Sequence, residues 1–246
     1  MKYVYLGLFF FLNSLLLSGC EDGDFSFGKH INGTGSIISK SRQFSKFEEI
    51  EVANNSDVEI YRGNEQKVEV SDYENIIKYT QATVEGGRLI IKNEPENINI
   101  SNSRSKVIIY TPYAIHVLHI SGSGNIVLKD AFNDISKVSI SGSGDIEAEQ
   151  PCELNKLNAS ITGSGDLLFK GTANEISLHI SGSGDIKFSE VKATSVNCRI
   201  SGSGDASVFA TGKLEANISG SGDIEYFGHP TISSIISGSG EVKHVD

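Results

Sequence analysis

Apolar and polar residues alternate along much of the chain, on both sides of a recurring Gly-Ser-Gly tripeptide. Two positions before the first glycine, every copy has isoleucine: Ile120, Ile140, Ile161, Ile180, Ile200, Ile218 and Ile236. Four positions after it, every copy is apolar: Ile126, Ile146, Leu167, Ile186, Ala206, Ile224 and Val242. Because alternation with a period of two is typical of β-strands, the pattern predicts a strand, a tight bend and a second strand.

The tripeptide returns at intervals of 18 to 21 residues, with first glycines at Gly122, Gly142, Gly163, Gly182, Gly202, Gly220 and Gly238. A period near 20 fits leucine-rich repeats or a parallel β-helix, but the leucine-rich signature is missing. We therefore predict an all-β fold, a parallel β-helix (solenoid) with coils of about 20 residues and Gly-Ser-Gly-Asp corners. The corner glycines are expected to allow two positive φ angles at each bend.

The predicted β-helix is a single domain over residues 41–246, with irregular first coils at 41–115 and regular repeats at 116–246. In the last copy, Glu241 and His244 replace residues that are aspartate and mostly apolar elsewhere. Since the end of a solenoid must be protected from edge-to-edge pairing, these two substitutions predict a polar cap.

The irregular part still contains strand-like segments. Val52–Tyr61 and Lys67–Val70 alternate around a turn and are predicted to be strands of the first coils. Tyr73–Thr80 is predicted to form a short helix or a bulged loop that covers one edge. Asn93–Lys106 is polar and is expected to be an exposed excursion.

The N-terminus has the features of an export signal. Lys2 precedes an apolar run at Val4–Leu17 that is too short to span a membrane. The run ends in Leu-Ser-Gly-Cys, which resembles the lipobox of bacterial lipoproteins, so residues 1–19 are predicted to be a signal peptide and Cys20 the lipidated N-terminus. Residues 20–40 are expected to be a flexible tether. Its acidic start at Glu21–Asp24 resembles a surface-export signal, which predicts an outer-membrane lipoprotein at the cell surface, with the periplasmic face as the alternative.

The composition limits the kinds of molecule that the protein is expected to bind. The 246 residues include 21 Lys and Arg against 31 Asp and Glu, a net charge of -10. Because an acidic surface repels phosphates, a nucleic-acid binder of the usual basic kind is excluded. Fourteen of the 26 glycines belong to the corners, which explains the high glycine content.

From about Arg42 onward the chain resembles the head GIN domain family, a family of auto-transporter adhesin domains of unknown function. The resemblance rests on Arg42–Ile50, Asp57–Ile60, Gly86–Ile91 and the repeated Ile-Ser-Gly-Ser-Gly-Asp-Ile. It implies a right-handed parallel β-helix carried on a lipoprotein and an adhesive role. No catalytic residue is established for the family, so none is carried over.

A ladder of acidic residues follows the corners, three positions after the first glycine: Asn125, Asp145, Asp166, Asp185, Asp205, Asp223 and Glu241. We interpret these side chains as acceptors for N–H groups of the turns. Calcium bridging Asp145, Asp166, Asp185, Asp205 and Asp223 is the alternative, because carboxylates are hard oxygen ligands. Catalysis is disfavoured, because a catalytic carboxylate pair needs two different environments and this residue recurs in coil after coil.

The remaining reactive side chains do not cluster. His119 and His179 fall on the outward face, three coils apart, which is too far to share a metal ion. Cys152 and Cys198 fall in different columns, so we predict no disulfide between them and a buried free thiol at Cys198.

These features together predict a lipid-anchored envelope protein that acts as a surface adhesion or interaction module without catalysis. Its partners would be the membrane, through Cys20, and a glycan or protein bound by many weak contacts. The alternatives are a glycan-active enzyme on a β-helix scaffold and a periplasm-facing envelope scaffold. No cofactor is expected, calcium at the ladder excepted.

Overall fold

The computed structural model describes residues 30–246. The predicted signal peptide and Cys20 lie outside the described residues. Within 30–246 the elements are strands, and no helix there is long and apolar enough to cross a membrane. The strands of the irregular part are β1 (His30–Asn32), β2 (Ile37–Arg42), β3 (Glu49–Val52), β4 (Asp57–Arg62), β5 (Lys67–Tyr73), β6 (Thr80–Glu85), β7 (Arg88–Asn93), β8 (Asn99–Ser101) and β9 (Lys106–Thr111).

In the middle of the regular part, four strands of 10 to 15 residues run around the bends between sides. The strands of the regular part are β10 (Val117–Ile120), β11 (Ile126–Leu128), β12 (Lys137–Ile140), β13 (Ile146–Ala148), β14 (Cys152–Ile161), β15 (Leu167–Ile180), β16 (Ile186–Ile200), β17 (Ala206–Ile218), β18 (Ile224–Phe227), β19 (Thr231–Ile236) and β20 (Val242–His244).

The regular coils stack in parallel register, which confirms the predicted β-solenoid. The segments before each corner pair with one another and form what we call the first side, running from β3 through β10, β12 and β14 to β19. The segments after each corner form the second side, from β4 through β11 and β13 to β20. A return side closes the later coils, where Cys152 pairs with Gly171 and Gly171 with Val191.

The core is a set of stacked columns inside the coils. The isoleucines before the corners are at most 2% exposed from Ile120 to Ile218, and those after the corners are equally buried from Ile126 to Ile224. Phe169 and Phe188 pack against each other in the interior, with tilted rings whose centroids are 5.4 Å apart. Each repeat therefore buries its apolar face only against its neighbours, as solenoid repeats must.

The N-terminal coils do not stack in chain order. The β3–β4 coil lies inside, because β10 and β11 pair on one side of it while β7 and β9 pair on the other. Antiparallel strands then cover this end, with β6 on β7, β5 on β9 and β2 on β5. The segment at Glu74–Tyr79 is a loop of turns, the second of the two predicted forms, and it buries Ile76 and Ile77.

The structure differs from three expectations, two for the N-terminal part and one for the last coil. Residues 30–40, placed in the tether, already form β1 and most of β2, because β2 pairs antiparallel with β5 and Ile38 packs on the core. The 93–106 excursion is not all loop, since β8 pairs with β1. The last coil is not a polar cap, because Ile232 and Ile236 stand 40% and 45% exposed at its edge.

Candidate functional site

The corners are closely packed, because from Gly142 onward each corner glycine lies directly on the corner glycine of the preceding coil. A Cβ at Gly142 or Gly163 would lie 1.8 Å from the carbonyl oxygen of the glycine below it, and the other first glycines of the corners give 2.0–2.2 Å. Carbon atoms normally stay about 3.5 Å or more from such neighbours. The glycines are therefore required by close stacking of the backbone.

The expected positive φ angles are wrong for most corners. Of the first glycines, only Gly238 has a φ in the left-handed region, at 144°, and no second glycine of a corner does. Sequence reasoning identified the right residue type for the wrong reason, since glycine serves both positive φ and close approach.

The acidic ladder is a chain of hydrogen bonds between coils. From Asn125 to Asp223, Oδ1 of each ladder residue accepts the backbone N–H of the ladder residue in the next coil, at 2.7–2.9 Å. The last donor is the N–H of Glu241. At its start the Asn125 amide donates to Asp57 Oδ1 at 2.8 Å. The carboxylates therefore accept N–H groups of the turns, as the first interpretation proposed. Among residues 30–246, no group of three or more His, Cys, Asp and Glu side chains is arranged to hold a metal ion.

One ladder carboxylate also has a cationic partner. Lys187 Nζ donates to Asp166 Oδ2 at 2.6 Å, while Oδ1 accepts the N–H of Asp185. Burial works against ionisation of Asp166, but these two hydrogen bonds outweigh it, so the pKa of the carboxyl lies below its ordinary value. Asp166 is thus held as a charged structural acceptor.

A shallow groove lies beside the ladder on the second side. Ser207 is short and stands between Lys187 and Glu225 in the outward row, and the depression above it has a volume of about 280 Å³. Asp185, Asp205 and Asp223 form its other wall. The groove is open and acidic, with four carboxylates and one ammonium group.

The outer surface of the second side carries two parallel rows of side chains, which we call the contact face. The first row runs Ile108, Glu59, Val127, Glu147, Leu168, Lys187, Ser207 and Glu225, and the second begins Tyr110, Tyr61 and Lys129. Over eight strands at about 4.8 Å each, the first row extends for about 34 Å. From Ile108 to Lys187 apolar and charged residues alternate along this row, and Leu168 is 40% exposed.

Two tyrosines form the aromatic end of the contact face. The rings of Tyr61 and Tyr110 stack with centroids 5.4 Å apart, and the Tyr61 hydroxyl donates to Glu59 Oε2 at 3.1 Å. Burial, and then this hydrogen bond, raise the pKa of Tyr61. Lys106 and Lys129 pair with the same glutamate. Tyrosine, enriched in protein interfaces, offers a flat apolar ring with a polar edge.

The other candidate side chains have structural roles. His119 and His179 point outward from the first side in separate coils, and His119 Nδ1 lies 2.8 Å from Ser139 Oγ. Cys152 and Cys198 are free and buried, and they lie in different columns of the coils, as the spacing predicts. Burial raises the pKa of the Cys198 thiol to about 12, so the thiolate is not accessible at neutral pH.

Sequence reasoning missed an eighth corner. Asn54 and Ser56 occupy the positions of the two corner glycines below Gly122 and Gly124. The signal was present, since Val52 and Val58 have the same spacing as Ile120 and Ile126. This first corner does not need glycine, because on the side away from Gly122 it is covered by the irregular segment 94–105 between β7 and β9 and not by another tight corner. Asn54 uses the extra space to donate to Asn93 Oδ1 at 3.0 Å.

Solved structures with the same architecture include three bacterial proteins. A "putative adhesin" from Bacteroides fragilis NCTC 9343 has a TM-score of 0.80 at 24% identity and covers 87% of this chain and 100% of its own; it shows the fold alone. A "putative lipid binding protein" from Parabacteroides distasonis ATCC 8503 has a TM-score of 0.74 at 29% identity and covers 89% and 100%. A "putative adhesin" from the same strain has a TM-score of 0.71 at 26% identity and covers 88% and 100%.

Among curated proteins none matches the chain. Residues 46–230 match the family described as "Putative auto-transporter adhesin, head GIN domain", which is the family suggested by the corner motif. Because this match spans most of the β-solenoid, the chain belongs to the head GIN domain family.

Proposed function

We propose that the chain is a lipid-anchored envelope protein, displayed on the cell surface, whose solenoid is a non-catalytic adhesion module. The lipid at Cys20 would hold it in the outer membrane, and a glycan or protein would bind the contact face. Three observations support the proposal. The chain belongs to an adhesin family, and its N-terminus contains a lipobox. The ladder carboxylates accept backbone hydrogen bonds between coils, which is a structural role.

The observation that carries the proposal is the contact face itself. It is long, flat and regular, and it combines the Tyr61–Tyr110 stack with exposed Leu168 and paired charges. Such a mixture of aromatic rings, aliphatic groups and compensated charge is what protein contact surfaces use. Many copies on one cell would add avidity to contacts that are individually weak.

The experiment is retention of protein-coated beads on panels of glycans and extracellular-matrix proteins. After a binding surface is found, the double variant Tyr61→Ala/Tyr110→Ala is compared with the parent. Loss of the two stacked tyrosines should weaken binding about tenfold or more. His179→Ala, on the outer surface of the first side, is the control and should bind like the parent.

Two results would contradict the proposal. Equal binding by the parent and the double tyrosine variant would remove the contact face from the function. Cleavage of any glycan on the panel would favour the alternative of a glycan-active enzyme.

A further inference from the structure

The last strand of the first side, β19, is an exposed edge. It pairs with β17 along its whole length, and no other strand of the described residues pairs with it. All six of its residues, Thr-Ile-Ser-Ser-Ile-Ile, are exposed and none is charged. Its open N–H and C=O groups and uncharged side chains are what native edge strands usually avoid, because they invite pairing with another chain.

The apolar character of this edge is specific to the last coil. The outward column that ends at Ile235 is polar in every earlier repeat: His119, Ser139, Ser160, His179, Arg199 and Asn217. Ile235 breaks that column and is 68% exposed. On the inward side Ile232 and Ile236 end the buried columns of Leu214 and Ile218, and no other strand of residues 30–246 covers them. Apolar side chains therefore stand on both faces of one open strand.

The opposite end of the solenoid is built differently. Its edge strand on the second side, β2, carries Lys40 and Arg42 among its exposed residues. Charged residues on an edge discourage strand addition. Head-to-tail stacking of copies would join β2 to β20, which carries Lys243, and would join β19 to β6. Pairing of β19 with itself instead joins two matching surfaces and closes.

The sequence of β19 is self-complementary about Ser234. In an antiparallel pair related by a two-fold axis at Ser234, Ile232 of one copy lies opposite Ile236 of the other, and the two Ser234 residues face each other. The inward columns would then run on from one core to the next. The same axis brings the corner with Glu241 over the turn of the second copy that holds the exposed His229, which can hydrogen-bond or pair with a carboxylate.

We propose that two copies of this chain associate tail to tail through β19, forming a continuous β-solenoid with a two-fold axis at Ser234. The antiparallel strands supply the missing backbone hydrogen bonds, and Ile232 and Ile236 of both copies are buried in the joined core. The partner that this edge fits is therefore a second copy of the chain.

The arrangement has a consequence that rests on the proposed function. Beyond β4 the second side continues through β9 and β5 to β2, so β2 lies at the opposite end from β20 and the two ends that carry β2 in the dimer point away from each other. From β2 to β20 this side has eleven strands per copy at about 4.8 Å each, so these two ends are roughly 100 Å apart. If Cys20 is anchored on the cell surface, the dimer can join the membranes of two cells, and the adhesion is homotypic.

The first test uses the full chain purified in detergent, with its protein mass measured by light scattering across a range of concentrations. The parent should have twice the mass of one chain at high concentration, and Ile232→Lys should have the mass of one, because its ammonium group would lie in the joined core opposite Ile236 of the second copy. In a single copy Ile232 is 40% exposed, so a lysine there reaches solvent and leaves the fold intact, which the melting temperature checks. A parent with the mass of one chain at every concentration overturns the proposal, as does a dimer that Ile232→Lys leaves unchanged.

The second test fixes the register. Ser234→Cys should form an intermolecular disulfide readily under mild oxidation, because paired Cα atoms in an antiparallel sheet lie about 4.5–5.5 Å apart. Ser201→Cys, in an exposed corner of an earlier coil, is the matched control. The buried Cys152 and Cys198 leave a low background, which the parent measures. Equal cross-linking of both variants would contradict the two-fold axis at Ser234.

The bridging step has its own readout. Two differently labelled cell populations should clump together only when both display the parent chain, and Ile232→Lys on either population should abolish clumping. A dimer in detergent without clumping would overturn the bridging step. Failure of the proposed function is distinguishable, because Tyr61→Ala/Tyr110→Ala leaves β19 untouched and Ile232→Lys leaves the contact face untouched.

Discussion

The backbone N–H of Asp205 donates to Oδ1 of Asp185 at 2.9 Å, across the boundary between two coils. The same bond recurs at the neighbouring corners, so the ladder is part of the construction of the solenoid. Each of these bonds gives a partner to a turn N–H group that the hydrogen bonds between parallel strands do not reach. Since unpaired N–H groups are costly, this role alone explains why an oxygen acceptor stands at every corner.

Replacement of Asp185 separates the acceptor role from any role for the charge. Asp185→Ala should lower the free energy of unfolding by about 1 kcal/mol, because the N–H of Asp205 loses its partner. Asp185→Asn should be neutral or slightly stabilising, since the amide oxygen still accepts and repulsion along the ladder falls. Asn125 already works in this way, accepting the N–H of Asp145 at 2.9 Å. Urea denaturation measures both, and a loss in Asp185→Asn as large as in Asp185→Ala would contradict the account.

Substitution of a corner glycine tests the stacking argument. Gly163→Ala should destabilise the protein by roughly 1–3 kcal/mol or more, because its Cβ would lie 1.8 Å from the Gly142 carbonyl oxygen and the coils must separate. Ser164→Ala, at the exposed centre of the same corner, should change the stability by less than about 0.5 kcal/mol. Thermal unfolding of both variants checks this, and similar melting temperatures would show that the corners are not close-packed.

The Lys187–Asp166 pair should make stability depend on acid. The folded-state pKa of Asp166 lies below its unfolded value of about 3.9, so the contribution is present above pH 4 and is lost as pH falls through the folded pKa. For an exposed pair we expect about 0.2–1 kcal/mol. The parent should therefore exceed Lys187→Met in stability at pH 7 and lose that advantage below pH 4. Lys170→Met is a matched control, because Lys170 forms no ion pair among residues 30–246. A difference that persists at pH 2 would exclude the carboxylate as its source.

Calcium should have no effect on the ladder. In five of its members, Asp145, Asp166, Asp185, Asp205 and Asp223, Oδ1 already accepts a backbone hydrogen bond. The melting temperature should therefore be the same with chelator and with millimolar calcium. A rise of several degrees with calcium, abolished by Asp205→Asn, would instead assign a cation to the groove above Ser207.

The regular coils could be predicted because each copy repeats the same physical requirements. Ile140 and Gly142 recur with their spacing intact, and a period of two around a fixed corner leaves few alternatives to stacked parallel strands. The corner with Asn54 was harder, because its neighbours leave room for side chains and the glycine signal disappears.

The contact face depends on pairings that carry no repeat. Tyr61 and Tyr110 belong to different strands, 49 positions apart, and they meet only because β9 pairs with β4 on the side away from β11. Nothing in the alternation of either strand indicates that order. Likewise Ile235 is apolar in a column that is otherwise polar, but its exposure becomes apparent only when β19 is seen as an edge.

The central claim, display at the cell surface, is tested most directly by protease treatment of intact cells that express the protein. Lysed cells treated in the same way confirm that the protease digests the folded solenoid, and a periplasmic protein confirms that the intact cells are sealed. The account predicts that the full-length band disappears from intact cells. Protection on intact cells with digestion after lysis would place the solenoid in the periplasm and contradict the proposed adhesive function.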